Sequence, residues 1–275
     1  MLMNKSPLRY PGGKTRACKI LDEIVNQNFN MKEKKILISP FFGGGSFEFY
    51  LQNKYNLDII ANDKFHPLFV FWNFCKYRNK ALCDELYKMG EITKDMFTSY
   101  RYCIMDEEDM LQKAVYYFII NRCSFSGATL SGGFSSQAAK KRFTKSSIDR
   151  IKKLDLSKFM IQNAEFDTFI KAYKSSDDVI IFLDPPYFLE KGNKLYGKNG
   201  NMHENFDHNK LFRCISKKSN WIMTYNNCEF IRNLYKSYKI IDAEWSYGMN
   251  KSKKSSEIVI ISQATSSQCP KTLLK

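Results

Sequence analysis

Short apolar runs of strand length alternate with stretches of helical period along most of this chain, and that alternation is what a sheet with parallel strands and crossover helices requires. The strand-length runs fall at residues 35–39, 57–61, 159–162, 179–183, 221–224, 238–242 and 258–262. Ala17, Ile20, Leu21 and Ile24 share one face of a first helix, and Leu211, Phe212 and Ile215 one face of a later one. A doubly wound α/β sheet is therefore expected. From 66 to 157 the alternation stops, and helical patterns at 67–77, 96–105 and 111–121 follow one another without a strand between them. That block reads as an inserted, mainly helical subdomain, with 1–65 and 158–263 forming the main domain and 264–275 a loose tail.

Gly43-Gly44-Gly45 directly follows the first predicted strand and runs into a helical stretch, so it sits at a strand-to-helix turn where a ligand can approach the backbone closely. Eighteen residues after Gly45, at the tip of the next strand, stands Asp63. A carboxylate there can accept hydrogen bonds from both hydroxyls of a ribose. Gly12-Gly13-Lys14 looks like the end of a phosphate loop, but Leu8 stands where that motif needs its first glycine and no strand precedes it. Lys14 instead opens a helix beside a flexible turn, from which an ammonium and free backbone N–H groups can hold a carboxylate.

The most apolar run, Val179-Ile-Ile-Phe-Leu183, ends against Asp184-Pro185-Pro186-Tyr187. Open α/β sheets bind their ligands outside the carboxyl ends of such strands. Two prolines cannot continue the ladder, and they stiffen the turn so that the Asp184 side chain and the Pro185 carbonyl face one point. That pair can accept both hydrogens of an exocyclic amine and aim its lone pair at an electrophile held opposite. Tyr187 offers a flat surface for an extruded base, worth roughly 1–3 kcal/mol. The chemistry implied is alkylation of an aromatic amine, with cytosine N4, adenine N6 and their RNA counterparts left open by the tetrapeptide alone.

The 275 residues include 43 Lys or Arg against 28 Asp or Glu, a formal charge of +15. Such a surface attracts phosphate polyanions, or anionic lipid where an amphipathic anchor is present. The densest stretch, residues 140–158, has eight basic residues against two acidic and follows a Gly/Ser-rich segment, Ser124 to Ser136, expected to be a mobile loop or hairpin with exposed aromatics. The hydrophobic share of 44% argues against disorder, and no apolar run reaches the roughly 18 residues of a membrane span. With no signal-like N-terminus, a soluble cytoplasmic protein is expected. Its eight cysteines lie at least eight residues apart with no CxxC pair, and His66, His203 and His208 have no metal-ligand spacing, so reduced thiols and a metal-free mechanism are expected.

At the residues just quoted, the chain resembles the Dam-like class of DNA adenine-N6 methyltransferases, which use S-adenosylmethionine (AdoMet). The likeness spans nearly the whole chain. Pro7-Leu-Arg-Tyr-Pro-Gly-Gly-Lys14 resembles the N-terminal motif of that class, Pro40-Phe-Phe-Gly-Gly-Gly-Ser46 its glycine motif, Asn62-Asp63 its ribose-binding acid, and Asp184 to Tyr187 its catalytic tetrapeptide. Ala164-Glu165-Phe166 occupies the place of an element that touches the cofactor adenine, and Asn121 to Phe134 is similar to the target-recognition region of one branch. The resemblance implies a Rossmann-like class I methyltransferase sheet carrying a target-recognition subdomain. It implies cofactor contacts from Tyr10, Gly12, Gly13, Lys14, Pro40, Phe41, Gly43, Gly44, Gly45, Ser46, Asp63, Glu165, Phe166 and Asp184, with Phe41 and Phe166 sandwiching or edging the cofactor adenine. It implies catalysis by Asp184, Pro185, Pro186 and Tyr187 on an adenine flipped out of duplex DNA. Arg122, Ser124, Ser126, Lys140, Lys141 and Arg142 are the expected DNA contacts, no metal is implied, and a cognate restriction endonuclease is a candidate partner. Two positions depart from the class. Ser39 stands where an acid usually precedes Pro-Phe, and Glu165 replaces the commoner Asp.

Overall fold

The computed structural model describes residues 3–10, 12–188, 206–246 and 254–262, with the side chains of 244–246 and 254–256 excepted. Pro11, His203, Cys269 and the expected tail at 264–275 lie outside the described residues. Seven strands form one sheet: β1 (Ile36–Ser39), β2 (Asp58–Asn62), β3 (Phe159–Gln162), β4 (Val179–Leu183), β5 (Trp221–Asn226), β6 (Lys239–Ser246) and β7 (Lys254–Ile261). Their spatial order is β3-β2-β1-β4-β5-β7-β6.

Five of these strands are parallel, as the alternation predicted. β7 is antiparallel to both β5 and β6. β6 and β7 pair over eight residues each, from Lys239 opposite Ile261 to Ser246 opposite Lys254. The order of connection reverses between β1 and β4, which are direct neighbours with Ile36 opposite Val179 and Ile38 opposite Ile181. That reversal is the topological switch point where open sheets hold ligands.

Both faces are covered, so the central strand is buried along its whole length. Successive side chains alternate between two apolar clusters. Leu37, Ile180, Phe182 and Ile222 point to one, and Ile38, Ile181, Leu183 and Met223 to the other. The first face receives α1 (Cys18–Asn28) and α2 (Ser46–Tyr55). In α1, Leu21 and Ile24 turn inward as expected, whereas Ile20 is 37% exposed. The second face receives α9 (Phe166–Ala172), α10 (His208–Ile215) and α11 (Glu229–Leu234).

Between β2 and β3 the chain forms only helices: α3 (His66–Tyr77), α4 (Asn79–Lys88), α5 (Lys94–Cys103), α6 (Met110–Cys123), α7 (Ser136–Arg142) and α8 (Lys145–Lys152). Leu68, Phe71 and Trp72 of α3 and Tyr117 and Phe118 of α6 belong to the same apolar cluster as Leu37, Phe42 and Ile59. The Trp72 indole N–H also donates to the Gly43 carbonyl at 3.0 Å. The helical block thus has no core of its own. It is the cover of one sheet face, and its interior is continuous with the glycine turn. The Gly/Ser segment that follows α6 folds into two short 3-10 turns closed by an antiparallel bridge between Ser124 and Phe134. Among the described residues no helix is long and apolar enough to cross a membrane.

Candidate active site

Parity along β4 decides which way Asp184 faces. Ile180 and Phe182 point to the α1/α2 face, and Asp184, two residues further, points the same way. The N-terminal segment enters on that face through a 3-10 turn, Lys14–Arg16, directly ahead of α1. Lys14 is 3% exposed, and its ammonium lies 2.8 Å from each oxygen of Asp184 and 2.9 Å from the Gly12 carbonyl. It also stands 5.1 Å above the Tyr187 ring. Lys14 therefore holds a carboxylate, as its position suggested, and that carboxylate is Asp184 of the Asp184–Tyr187 turn.

Two neighbouring strands brace the tetrapeptide from the other side. Thr224 follows Met223, the register partner of Leu183, and its hydroxyl donates to Asp184 Oδ1 at 2.7 Å. Glu257 on β7 lies opposite Asn226 and accepts from the Tyr187 hydroxyl at 2.5 Å. Pro185 is buried, and Pro186 and Tyr187 are half-buried. Neither Thr224 nor Glu257 stands out in the sequence, since each reads there as an ordinary strand position.

The glycine turn is shaped by Tyr10. A Cβ on Gly44 would lie 2.8 Å from Tyr10 Cβ, and one on Gly43 3.0 Å from the tyrosine ring. Gly43 also has a φ of 49°, in the left-handed region. The glycines thus admit the Tyr10 side chain against the backbone. The Gly43 N–H donates to Asp63 Oδ2 and the Phe65 N–H to Oδ1, both at 2.9 Å. Burial pushes the Asp63 carboxyl up to about 6, against the lowering effect of those two N–H groups. Asn62, 1% exposed, ties the three loops together: its amide donates to the carbonyls of Pro40 and Ala164, and its oxygen accepts from the Ala164 N–H.

Phe41 and Phe166 come together here, with ring centroids 5.7 Å apart and planes at 37°. A base between two rings needs about 7 Å, twice the carbon contact distance. The two rings pack against each other with no base-wide slot between them. Phe206 completes the trio at 5.7 and 5.1 Å. Glu165 points outward and pairs with Lys64 at 2.6 Å, with 52% of its side chain exposed.

A buried carboxyl lies against Ser39. Glu48 on α2 is 2% exposed and accepts from the Ser39 hydroxyl at 2.6 Å. Burial, helped by the charge of Asp184, raises its carboxyl to about 8, against the lowering effects of Ser39, its own N–H and Lys14. Cys18 packs beside it, and burial first and Glu48 second push that thiol up to about 12, so no thiolate is available. Ser46 accepts from the Thr15 hydroxyl at 3.1 Å, linking the two glycine segments.

The expected DNA contacts divide sharply. Ser126, Lys140, Lys141 and Arg142 are exposed, and Ser126 has a φ of 55°. Arg122 and Ser124 are not surface groups. Arg122 is 6% exposed and donates to the carbonyls of Arg142 at 2.7 Å and Pro7 at 3.1 Å, and Ser124 is fully buried with its hydroxyl on the Asn121 carbonyl. The reason is that this end of α6 receives the N-terminal segment. Asn121 pairs with the Arg9 backbone at 2.9 and 2.6 Å, like a rung of a ladder. Burial, and then the charges of Arg150, Arg9 and Arg142, lower Arg122 to about 10.

A family model for the D12 class of N6 adenine-specific DNA methyltransferases matches residues 10–249. The chain belongs to that family. The matched span of this methyltransferase contains the glycine turn, the whole helical block and the tetrapeptide. It is also similar to the Type II methyltransferase M.MjaIII of Methanocaldococcus jannaschii, at 22% identity over 264 aligned positions that cover 85% of this chain and 88% of the relative. Among the described residues of the methyltransferase, no group of three or more His, Cys, Asp or Glu side chains is placed to hold a metal ion.

Proposed function

We propose that this methyltransferase transfers the methyl group of AdoMet to N6 of an adenine turned out of duplex DNA, with Asp184 and Pro185 orienting the amine and Tyr187 stacking the base. One observation carries the reading: the Lys14 ammonium bonds both oxygens of Asp184, joining the N-terminal motif to the tetrapeptide at the switch point of the sheet. The turns after β1, β2 and β4 accordingly open on the same edge.

The residues present suit the cofactor. Each Asp63 oxygen accepts one backbone N–H and keeps a lone pair for a ribose hydroxyl. The half-buried Phe41 and Phe166 offer an apolar border for its adenine, and Tyr10, Gly12, Gly13, Lys14, Pro40, Gly43, Gly44, Gly45 and Ser46 line the path to its methionine end. Bound AdoMet supplies an electrophilic methyl group. No prior deprotonation of the amine is needed, because hydrogen bonds to the Asp184 carboxylate already favour the pyramidal nitrogen, and once that nitrogen carries a fourth bond it sheds its extra proton readily to solvent. Base flipping follows from reach, since N6 of a paired adenine lies inside the stack. Ser126, Phe125, which is 71% exposed, and the basic side chains of α7 form the surface offered to the duplex. The likeness to a Type II methyltransferase supports action at a defined site; a companion endonuclease and a location in the cytoplasm, where DNA is accessible, complete the proposal.

Tritiated AdoMet with unmethylated duplex tests this. Label should enter DNA and appear in N6-methyladenine on nucleoside analysis. Asp184→Ala should abolish transfer while AdoMet affinity stays within about tenfold, because the interaction removed is made mainly to the reacting amine. Retained turnover in that variant, or label in N4-methylcytosine, overturns the assignment.

A further inference from the structure

The two oxygens of Asp184 are not equivalent. Oδ1 accepts from Lys14 Nζ at 2.8 Å and from Thr224 Oγ1 at 2.7 Å, whereas the bond that Oδ2 receives comes from Lys14, also at 2.8 Å. A carboxylate oxygen has two lone-pair directions, so Oδ1 is fully engaged and Oδ2 retains one.

Thr224 is an unusual residue for its place. It is fully buried on β5 between Trp221, Ile222, Met223 and Tyr225, each of them also fully buried. A valine would fill the same shape without a hydroxyl to desolvate. The other acceptor near that hydroxyl, the Leu183 carbonyl, stands at 3.5 Å, so the short bond to Asp184 is what compensates its burial. Both partners sit on rigid strands. Leu183 and Met223 are in register, which sets Asp184 and Thr224 side by side on the same face of the sheet.

We infer that Thr224 is a positioning residue for methyl transfer: by engaging Oδ1 it fixes the rotation of the Asp184 carboxylate and dedicates Oδ2 to a hydrogen of the target amine. This rests on the reading of Asp184 as the group that orients the amine. Lys14 alone does not fix the choice, because its ammonium is equidistant from the two oxygens and leaves the carboxylate free to present either. Thr224 breaks that symmetry. It touches neither substrate nor cofactor, and acts only through Asp184.

Thr224→Val and Thr224→Ser discriminate this role from a packing role. Losing one hydrogen bond to a charged group corresponds to about 10- to 100-fold in rate when the bond matters in the transition state. Single-turnover methylation of unmethylated duplex by Thr224→Val should slow by that factor, with AdoMet and DNA dissociation constants within about twofold and an unchanged or raised melting temperature. Thr224→Ser, which keeps the hydroxyl, should recover most of the rate. The inference is overturned if Thr224→Val turns over like wild type, if valine and serine slow the reaction equally, or if the rate loss follows a loss of ligand affinity. Should valine prevent folding, Thr224→Ala against Thr224→Ser gives the same comparison. Failure of the underlying reading looks different: wild type would then leave adenine unmethylated, or Asp184→Ala would remain active.

Discussion

Glu48 bears the clearest electrostatic penalty beside the site. Its carboxyl is raised to about 8 in the fold from the ordinary 4.5, so the folded protein binds a proton there that the unfolded chain releases. The stability this proton contributes is fully present below about pH 4.5 and is lost as pH rises through about 8. At pH 7 the deficit is on the order of 3 kcal/mol. Glu48→Gln keeps an acceptor for the Ser39 hydroxyl and removes the titration. Urea midpoints of wild type should fall relative to the glutamine variant between pH 5 and 8; parallel curves would show that Glu48 does not titrate in this range. Lys14, Asp63 and Asp184 were singled out from sequence because a motif places each of them. Glu48, Thr224 and Glu257 were not, because their partners lie 9, 40 and 70 residues away and only the folded sheet and its register bring them together.

The first five strands were legible to within two residues because each is an apolar run closed by polar or turn-forming residues, whereas β6 and β7 each extend four residues beyond the runs expected at 238–242 and 258–262. The antiparallel direction of β7 was not legible, since a buried strand has the same composition whether its neighbour runs with it or against it. Among the helices, α7 and α8 are hidden inside a stretch dominated by charge, although Ser135 and Thr144 cap them by accepting from Ala138 and Ser147. Arg122 illustrates the limit most directly. Its position after a helical pattern and before the basic stretch suggested phosphate contact, but the last turn of α6 directs it inward to two carbonyls. Arg122→Met should leave both carbonyls unpaired and cost about 2 kcal/mol in urea unfolding, with the salt dependence of DNA binding unchanged. Unchanged stability accompanied by a flatter salt dependence would return Arg122 to the interface.

At the scale of the molecule, a net charge of +15 has to be read against where it lies. Lys140, Lys141 and Arg142 form the last turn of α7, all exposed, and the nearest acid to Lys140 is Glu91 at 3.9 Å with both side chains more than 70% exposed, a pairing that solvent largely screens. These charges repel one another in the free protein and are relieved when phosphates approach, with release of the counterions condensed on DNA. The logarithm of the binding constant should therefore fall linearly with the logarithm of salt concentration. Replacing all three residues by alanine should reduce that slope by about 0.9 for each phosphate no longer neutralised, up to roughly 3 in total, and weaken binding to all sequences alike. AdoMet affinity should not change, because the α7 surface and the turns at the strand ends are separate features of the fold. A slope equal to that of wild type would place the duplex on another face and require Ser126 and Phe125 to meet it without help from α7.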